Sequence, residues 1–168
     1  MSDFKTNLND NKLAEEAAHG LDGVIDKTDP KYSKHLYGLV VQYEDIDAGG
    51  IVYHSTYLNF AERARSALLR ASKFDVQYWL AEENQGFVIT HIETDYLSPA
   101  KLHNRLIVET SCLQLGGASA LLQQNINSFD RGHIFARVMV KAAWVDIELG
   151  PRKFPEPLQM VLRSFQPK

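Results

Sequence analysis

One long amphipathic helix, set among segments that alternate like strands, restricts the fold of this chain more than any other feature. Between residues 55 and 71, apolar side chains recur three and four positions apart, and polar side chains fill the other positions. Ser55 or Thr56 has the side chain expected at the N-cap. The predicted buried face carries Tyr57, Phe60, Ala61, Ala64, Ala67, Leu68 and Ala71. We therefore expect this helix in the core, where its alanines allow a sheet to approach closely.

The segments around this helix show the alternation of apolar and polar side chains that is typical of strands. They are residues 36–43 before the helix, and residues 87–97, 105–115, 118–129 and 134–147 after it. Gly116-Gly117 and Asp130-Arg131-Gly132 are turn signals, so we expect the last four strands to form a meander of hairpins. Weaker helices are predicted at residues 76–83 and 157–165. Because helices do not alternate with strands, the sequence predicts an α+β fold, an antiparallel sheet with a helix on one face.

Length and composition indicate one folded domain that follows an N-terminal extension. The chain has 168 residues, of which 45% are apolar and 23% are charged, enough to build the core of one domain. Residues 1–34 are rich in Asn, Asp and Lys, with a short helical pattern only at residues 13–18. Because such a segment buries little apolar surface, we expect residues 1–34 to be mobile and residues 35–168 to form the domain.

Charge, cysteine content and hydropathy exclude several classes of function. The formal net charge is −3 and no segment has the basic field that suits nucleic acid. Cys112 is the only cysteine, so we expect no internal disulfide, and the cytoplasm is the default location. Because Cys112 lies in a predicted strand with no His next to it in the sequence, we expect its thiol to be buried and inert. No run approaches the roughly 18 apolar residues of a membrane helix, and the first residues lack the pattern of a signal peptide.

The stretch over residues 43–54, between the first strand and the long helix, carries the residues most suited to chemistry. It contains Asp45 and Asp47, the pair Gly49-Gly50, and His54. A carboxylate just before a helix lies near the positive end of the helix dipole, where backbone N–H groups are free. Such N–H groups can hold an oxyanion while the carboxylate attacks an acyl carbonyl or deprotonates water. The glycines allow the backbone to come close to a ligand.

Two other interpretations of this stretch remain open at the level of the residues. Asp45 and Asp47 are also common in turns, where their side chains hydrogen-bond to nearby backbone. Their spacing resembles the start of a calcium-binding loop, but Gly49 and Thr56 stand where that loop has two of its ligands. A metal site that uses Asp45, Asp47 and His54 lacks any further His or Cys cluster in the sequence. We therefore expect no metal.

The same stretch resembles the signature of the hotdog-fold acyl-CoA thioesterases. The match runs over residues 43–54, through Tyr57 and Phe60, and through Glu-Arg-Ala-Arg at residues 62–65. It is most similar to the 4-hydroxybenzoyl-CoA thioesterase group and its branch encoded with the Tol-Pal envelope system. The resemblance covers about residues 36–158, and Asn104 stands where that family usually has Asp. It implies a sheet wrapped around one long central helix, no cofactor, and dimers with continuous sheets or homotetramers.

The resemblance also implies roles for individual residues. Asp47 matches the catalytic carboxylate, as nucleophile or general base, and a backbone N–H near Tyr53 or His54 matches the group that polarises the thioester carbonyl. Gly50, Tyr53, His54 and Tyr57 are the expected substrate-binding residues, with core packing as the alternative for Tyr57. The expected substrate is an acyl-CoA, or the same acyl group on an acyl carrier protein. Two alternatives stay open: a hotdog dehydratase that uses His54 and a carboxylate, and a non-catalytic module that binds acyl thioesters or acyl carrier protein.

Overall fold

The computed structural model describes residues 12–167, which form one sheet of seven strands and four α-helices. The first helix, α1, covers residues 12–19. The strands are β1 Val24–Asp26, β2 Lys34–Val40, β3 Gln85–Tyr96, β4 Arg105–Leu115, β5 Ser119–Ser128, β6 Ile134–Asp146 and β7 Gly150–Pro151. The other helices are α2 Thr56–Ala71, α3 Val76–Glu82 and α4 Glu156–Ser164, and a 3-10 turn covers Tyr43–Asp45.

Helix α2 is the centre of the core, as its pattern predicts. Phe60, Ala61 and Ala64 are completely buried. They pack in one cluster with side chains of the sheet that include Val108 and Ile126. The predicted helix and the α+β class with an antiparallel sheet around it are confirmed, and so is the predicted buried face except at Ala71, which is half-buried.

The strand order is β1-β2-β4-β5-β6-β3, and β7 pairs with the end of β6. The predicted meander is therefore correct for β4, β5 and β6 and wrong for β3, which pairs with β6 and not with β4. After β3 the chain passes the start of α2, where the N–H of Val52 donates to the carbonyl of Ala100, and only then enters β4 beside β2. Alternation of side chains identifies a strand but carries no information about this crossover.

The predicted extension, residues 1–34, differs from the structure in its described part. Within residues 12–34, β1 pairs with β2, and α1 buries Ala14 and Ala17 against Leu36 and Ile107. The backbone at the end of α1 approaches the backbone of β2 closely: a Cβ on Gly38 would lie 2.6 Å from Cα of Ala18. Small side chains thus let a segment of low apolar content dock on the face of the sheet opposite α2. Residues 1–11, the rest of the predicted extension, lie outside the described residues.

Aromatic side chains fill the core near the C-terminal end of α2. Trp144 is completely buried and contacts the rings of Phe74, Trp79, Phe87 and Phe154, with ring centres 5.0 to 6.4 Å apart. Its indole N–H donates to Oε1 of Gln85 over 2.8 Å. The predicted helices α3 and α4 exist, within one residue of their predicted bounds. In the part of the chain from 12 to 167, no helix is long and apolar enough to cross a membrane.

The thiol of Cys112 lies in this part of the core. The residue is completely buried, and burial raises the pKa of the thiol to about 11. The thiolate is therefore scarce at neutral pH, which agrees with the inert thiol expected from the sequence.

Candidate active site

A tight turn brings Asp47 to the surface beside the start of α2. Ile46 and Val52 form an antiparallel bridge, and within it the N–H of Asp47 donates to the carbonyl of Ile51 over 2.9 Å. The N–H of Gly50 returns to the carbonyl of Asp47 over 3.0 Å. Gly50 has φ of +76°, a conformation that residues with a Cβ rarely adopt, which explains a glycine at the turn.

The two aspartates of this stretch have different surroundings. Asp45 is buried, and its Oδ2 accepts the N–H of Gln42 over 2.7 Å. Asp47 is exposed, and its Oδ1 accepts the N–H of Gly49 over 2.7 Å. Within residues 12–167 the other carboxylate oxygen of Asp47, Oδ2, has no hydrogen-bond donor. Asp45 therefore holds the turn together, whereas Asp47 presents an oxygen to solvent or to a ligand.

The first turn of α2 lies next to Asp47 and has no side-chain cap. Ser55 occupies the N-cap position, but its side chain accepts no hydrogen bond from the helix. The N–H of Thr56 donates to the carbonyl of Tyr53, and the N–H of Leu58 donates to the carbonyl of Ser55. The N–H groups of His54 and Ser55 have no acceptor within the described chain. Unpaired N–H groups and the positive end of the helix dipole together make this a place where negative charge is stabilised.

Aromatic side chains form one wall of the site. The ring of Tyr96 packs edge-on against Tyr57, with ring centres 5.7 Å apart, and against His54, at 6.3 Å. The hydroxyl of Tyr57 is buried and accepts the N–H of Ala100 over 3.0 Å. Burial raises the pKa of Tyr57, an effect that this hydrogen bond partly offsets. Tyr57 is thus neutral at physiological pH and ties α2 to the crossover after β3.

These residues surround a cleft of about 400 Å³. It is lined by Asp47, Ile51, Val52, His54, Tyr57, Tyr96, Leu97, Ser98 and Pro99. Of the predicted site residues, the structure brings Asp47, His54 and Tyr57 together. Gly50 and Tyr53 lie next to the cleft and do not line it: Gly50 shapes the turn, and the half-exposed ring of Tyr53 contacts His54 at 4.4 Å.

Tyr96 and Ser98 line the cleft although neither is among the site residues predicted from the sequence. Tyr96 reaches His54 across 42 positions of the chain, and the hydroxyl of Ser98 is hydrogen-bonded to Nε2 of His133. The sequence feature that could have identified them is their position at the end of a strand, just before Pro99, where the chain turns and side chains meet other loops. Across residues 12–167, no three His, Cys, Asp or Glu side chains come close enough together to hold a metal ion.

A sequence profile of the Thioesterase-like superfamily matches residues 41–165, which include the whole cleft. The chain belongs to this superfamily. It is 39% identical over 127 residues to acyl-CoA thioesterase YbgC of Haemophilus influenzae, a match that covers 75% of this chain and 92% of the relative. It is 33% identical over 116 residues to acyl-CoA thioester hydrolase YbgC of Escherichia coli O6:H1, covering 69% of this chain and 86% of the relative.

Solved structures of the superfamily share the fold. A probable thioesterase from Bartonella henselae is 30% identical, with a TM-score of 0.68 over 73% of this chain and 99% of that chain. Slr0204, a 1,4-dihydroxy-2-naphthoyl-CoA thioesterase from Synechocystis, is 20% identical, with a TM-score of 0.73 over 77% of this chain and 96% of that chain. The hotdog fold expected from the resemblance is therefore confirmed.

Proposed function

We propose that this chain hydrolyses acyl-CoA thioesters and that Asp47 is its catalytic carboxylate. The chain is a thioester hydrolase of the hotdog type, as its superfamily and its YbgC relatives indicate. The observation that supports the role of Asp47 is its place in the cleft: an exposed carboxylate with one free oxygen beside the uncapped start of α2. A carboxylate and unpaired N–H groups in one cleft are what acyl transfer requires.

The proposed mechanism assigns one task to each part of the cleft. The thioester carbonyl oxygen accepts N–H groups at the start of α2, which stabilise the oxyanion as it develops. Asp47 then acts on the carbonyl carbon in one of two ways. As a nucleophile it forms an anhydride that water hydrolyses; as a general base it removes a proton from the attacking water. Either route breaks the C–S bond, releases the thiolate of coenzyme A and yields the carboxylic acid.

The remaining predicted residues have supporting roles in this proposal. His54 and Tyr57 contact the acyl group from the wall of the cleft, Tyr53 contacts the substrate at its rim, and Gly50 leaves room for the ligand next to Asp47. No cofactor enters the proposed reaction. An acyl carrier protein as the thiol carrier and a link to the Tol-Pal system stay predictions from the resemblance, and a cytoplasmic location stays a prediction from the cysteine content.

We also propose that a second copy pairs with the free edge of β3. This strand is at the edge of the sheet and is twelve residues long, and its exposed apolar side chains include Val88, Ile89 and Ile92. A long apolar edge with unpaired backbone groups is a template for another strand. Pairing of β3 with β3 would continue the sheet into a dimer, and two such dimers would give the predicted homotetramer. Tyr96 ends this strand, so the interface reaches the cleft.

Sedimentation velocity tests the interface. Ile92→Glu places a charge on the free edge, and we expect the mass to fall from that of a dimer or tetramer to that of one chain. Met160→Glu is the control, because Met160 is exposed and belongs to α4, not to the edge strand β3. A monomeric wild-type protein, or an Ile92→Glu protein with the wild-type mass, would contradict the interface.

Thiol release tests the activity. Short, long and aromatic acyl-CoA, and the same acyl groups on an acyl carrier protein, are incubated with the wild-type protein and with Asp47→Asn. We expect free thiol from the wild type with at least one class and little from the variant. Saturable binding without thiol release from any substrate would favour the binding module. Turnover of 3-hydroxyacyl or enoyl thioesters without thiol release would favour the dehydratase.

A further inference from the structure

The hydroxyl groups of the two tyrosines in the cleft have different tasks. Tyr57 is 3% exposed and its hydroxyl accepts a buried backbone N–H, that of Ala100. Tyr96 is 50% exposed and its hydroxyl donates to the carbonyl oxygen of His54 over 3.0 Å. In the single chain this hydroxyl could bond to water instead, so its bond to one backbone carbonyl at the start of α2 is a specific contact.

The carbonyl of His54 stands outside the hydrogen bonds of α2. The carbonyls on either side of it are used locally: that of Tyr53 accepts from Thr56, and that of Ser55 accepts from Leu58. In the described chain, the donor to the carbonyl of His54 is the Tyr96 hydroxyl. The peptide between His54 and Ser55 is the central peptide of the turn that the N–H of Thr56 closes, and its carbonyl is held by a side chain from β3 and not by an N–H of the helix.

Orienting this carbonyl also orients an N–H group. A peptide bond is planar and trans, so the C=O of His54 and the N–H of Ser55 point in opposite directions, and holding one holds the other. The N–H of Ser55 is among the groups without an acceptor in residues 12–167. A donor on the carbonyl also polarises the peptide, which makes its N–H a stronger donor.

We infer that Tyr96 is a positioning residue for the oxyanion site: its hydroxyl orients and polarises the peptide that presents the Ser55 N–H to the thioester carbonyl. This inference rests on the proposed function. Tyr96 acts through the peptide and takes no part in bond making. Because charge develops on the carbonyl oxygen as the reaction proceeds, the hydroxyl contributes more to the transition state than to substrate binding.

Tyr96→Phe removes the hydroxyl and keeps the ring in the cleft wall. We expect kcat for thiol release to fall by about 10- to 100-fold, somewhat less than the roughly 10²- to 10³-fold cost of deleting an oxyanion donor itself, with KM almost unchanged. The thermal unfolding midpoint should stay at the wild-type value, because the ring packing is kept. Tyr78→Phe is the matched control: it removes a phenol hydroxyl that donates to Glu83 on the surface of α3, and we expect wild-type kcat and KM.

A spectroscopic readout separates this role from a merely structural one. An acyl-CoA analogue with methylene in place of the sulfur has a ketone that cannot be hydrolysed. Its ¹³C-edited carbonyl stretch is measured bound to the wild type, Tyr96→Phe, Tyr78→Phe and Asp47→Asn. We expect a shift to lower frequency in all but Tyr96→Phe, where the band returns toward its position in water.

The outcomes distinguish this inference from the proposed function. A wild-type protein that releases no thiol contradicts the proposed function. The carbonyl stretch in the wild type and in Tyr96→Phe then tests the role of Tyr96 independently of activity. A Tyr96→Phe protein with wild-type kcat and the wild-type carbonyl shift overturns the inference, while thioester hydrolysis by Asp47 stands. A raised KM with unchanged kcat also overturns it, because the hydroxyl then binds substrate directly. Loss of activity together with a lowered unfolding midpoint and an unchanged carbonyl shift has the same consequence.

Discussion

The two ends of helix α2 are built in opposite ways. At its C-terminal end the carbonyls of Leu68, Leu69 and Arg70 accept backbone N–H groups of the turn that follows, and Lys73 takes the left-handed conformation that closes the helix. At its N-terminal end, Ser55 gives no side-chain cap, and the N–H groups of His54 and Ser55, which have no acceptor in residues 12–167, lie beside a cleft with an exposed carboxylate. The C-terminal end, whose carbonyls are hydrogen-bonded, therefore contributes to stability. The N-terminal end, whose N–H groups are unpaired, is available to a ligand.

This difference shows where stability and activity are separated in the molecule. An absent N-cap costs about 1 kcal/mol of stability, a loss that a ligand with negative charge would offset on binding. The C-terminal end is instead surrounded by buried aromatic side chains and by the segment before β2, where Arg70 donates to Oδ1 of Asp22 over 2.6 Å. Changes at the C-terminal end of α2 should therefore alter stability with little effect on turnover. Changes at its N-terminal end should alter turnover with little effect on stability.

The largest effect on stability is expected at Trp144. Trp144→Ala removes a completely buried indole from among four aromatic rings and leaves a cavity, so we expect the free energy of unfolding to fall by about 3–5 kcal/mol. Urea unfolding followed by circular dichroism measures the change. The thiol release rate per folded molecule should stay near the wild-type value. A loss of turnover as large as that of Asp47→Asn in folded Trp144→Ala would break the separation of the two ends.

A smaller effect concerns pH and His35, which lies in β2 near the C-terminal end of α2. His35 is completely buried and its Nε2 lies 2.7 Å from the carbonyl oxygen of Asp22; burial lowers the pKa of the imidazole. The unfolded chain binds the proton at the ordinary value of about 6.5, whereas the folded chain binds it only at lower pH. The free energy of unfolding should therefore fall as the pH falls from about 6.5 toward the lowered pKa of the folded state.

His35→Gln is the control for this pH dependence, because the glutamine amide does not titrate and can still donate to the carbonyl of Asp22. Urea unfolding at several pH values between 7.5 and 5 should give a flatter profile for the variant than for the wild type. The difference between the two profiles is the relevant quantity, because it isolates the contribution of His35. Identical profiles would contradict the assignment to His35.

The sequence predicts local structure well where one period dominates. Helix α2 and strand β4 have the predicted bounds, because repeats of 3.6 and 2 residues are visible over many positions. The pairing of β3 with β6 and the docking of α1 depend on contacts between distant segments, and periodicity does not specify them. The residues of the site likewise fall into those that local sequence identifies and those that depend on contacts between distant segments. Asp47 stands out by its place before the helix, whereas Tyr96 becomes a site residue only when β3 folds over the start of α2.

The most direct test of the central claim compares two aspartates that lie two positions apart. Asp45 is buried and holds the N–H of Gln42, whereas Asp47 is exposed in the cleft. Asp45→Asn should weaken a buried charge-assisted hydrogen bond, lowering stability by about 1 kcal/mol while leaving thiol release by the folded protein nearly unchanged. It is the matched control for the loss of one carboxylate in this loop.

The decisive measurement is kcat for thiol release from an acyl-CoA by Asp47→Asn, with its free energy of unfolding measured in parallel. We expect a loss of about 10²- to 10⁴-fold in kcat and a free energy of unfolding within about 0.5 kcal/mol of the wild type. An Asp47→Asn protein that releases thiol at the wild-type rate would contradict the account.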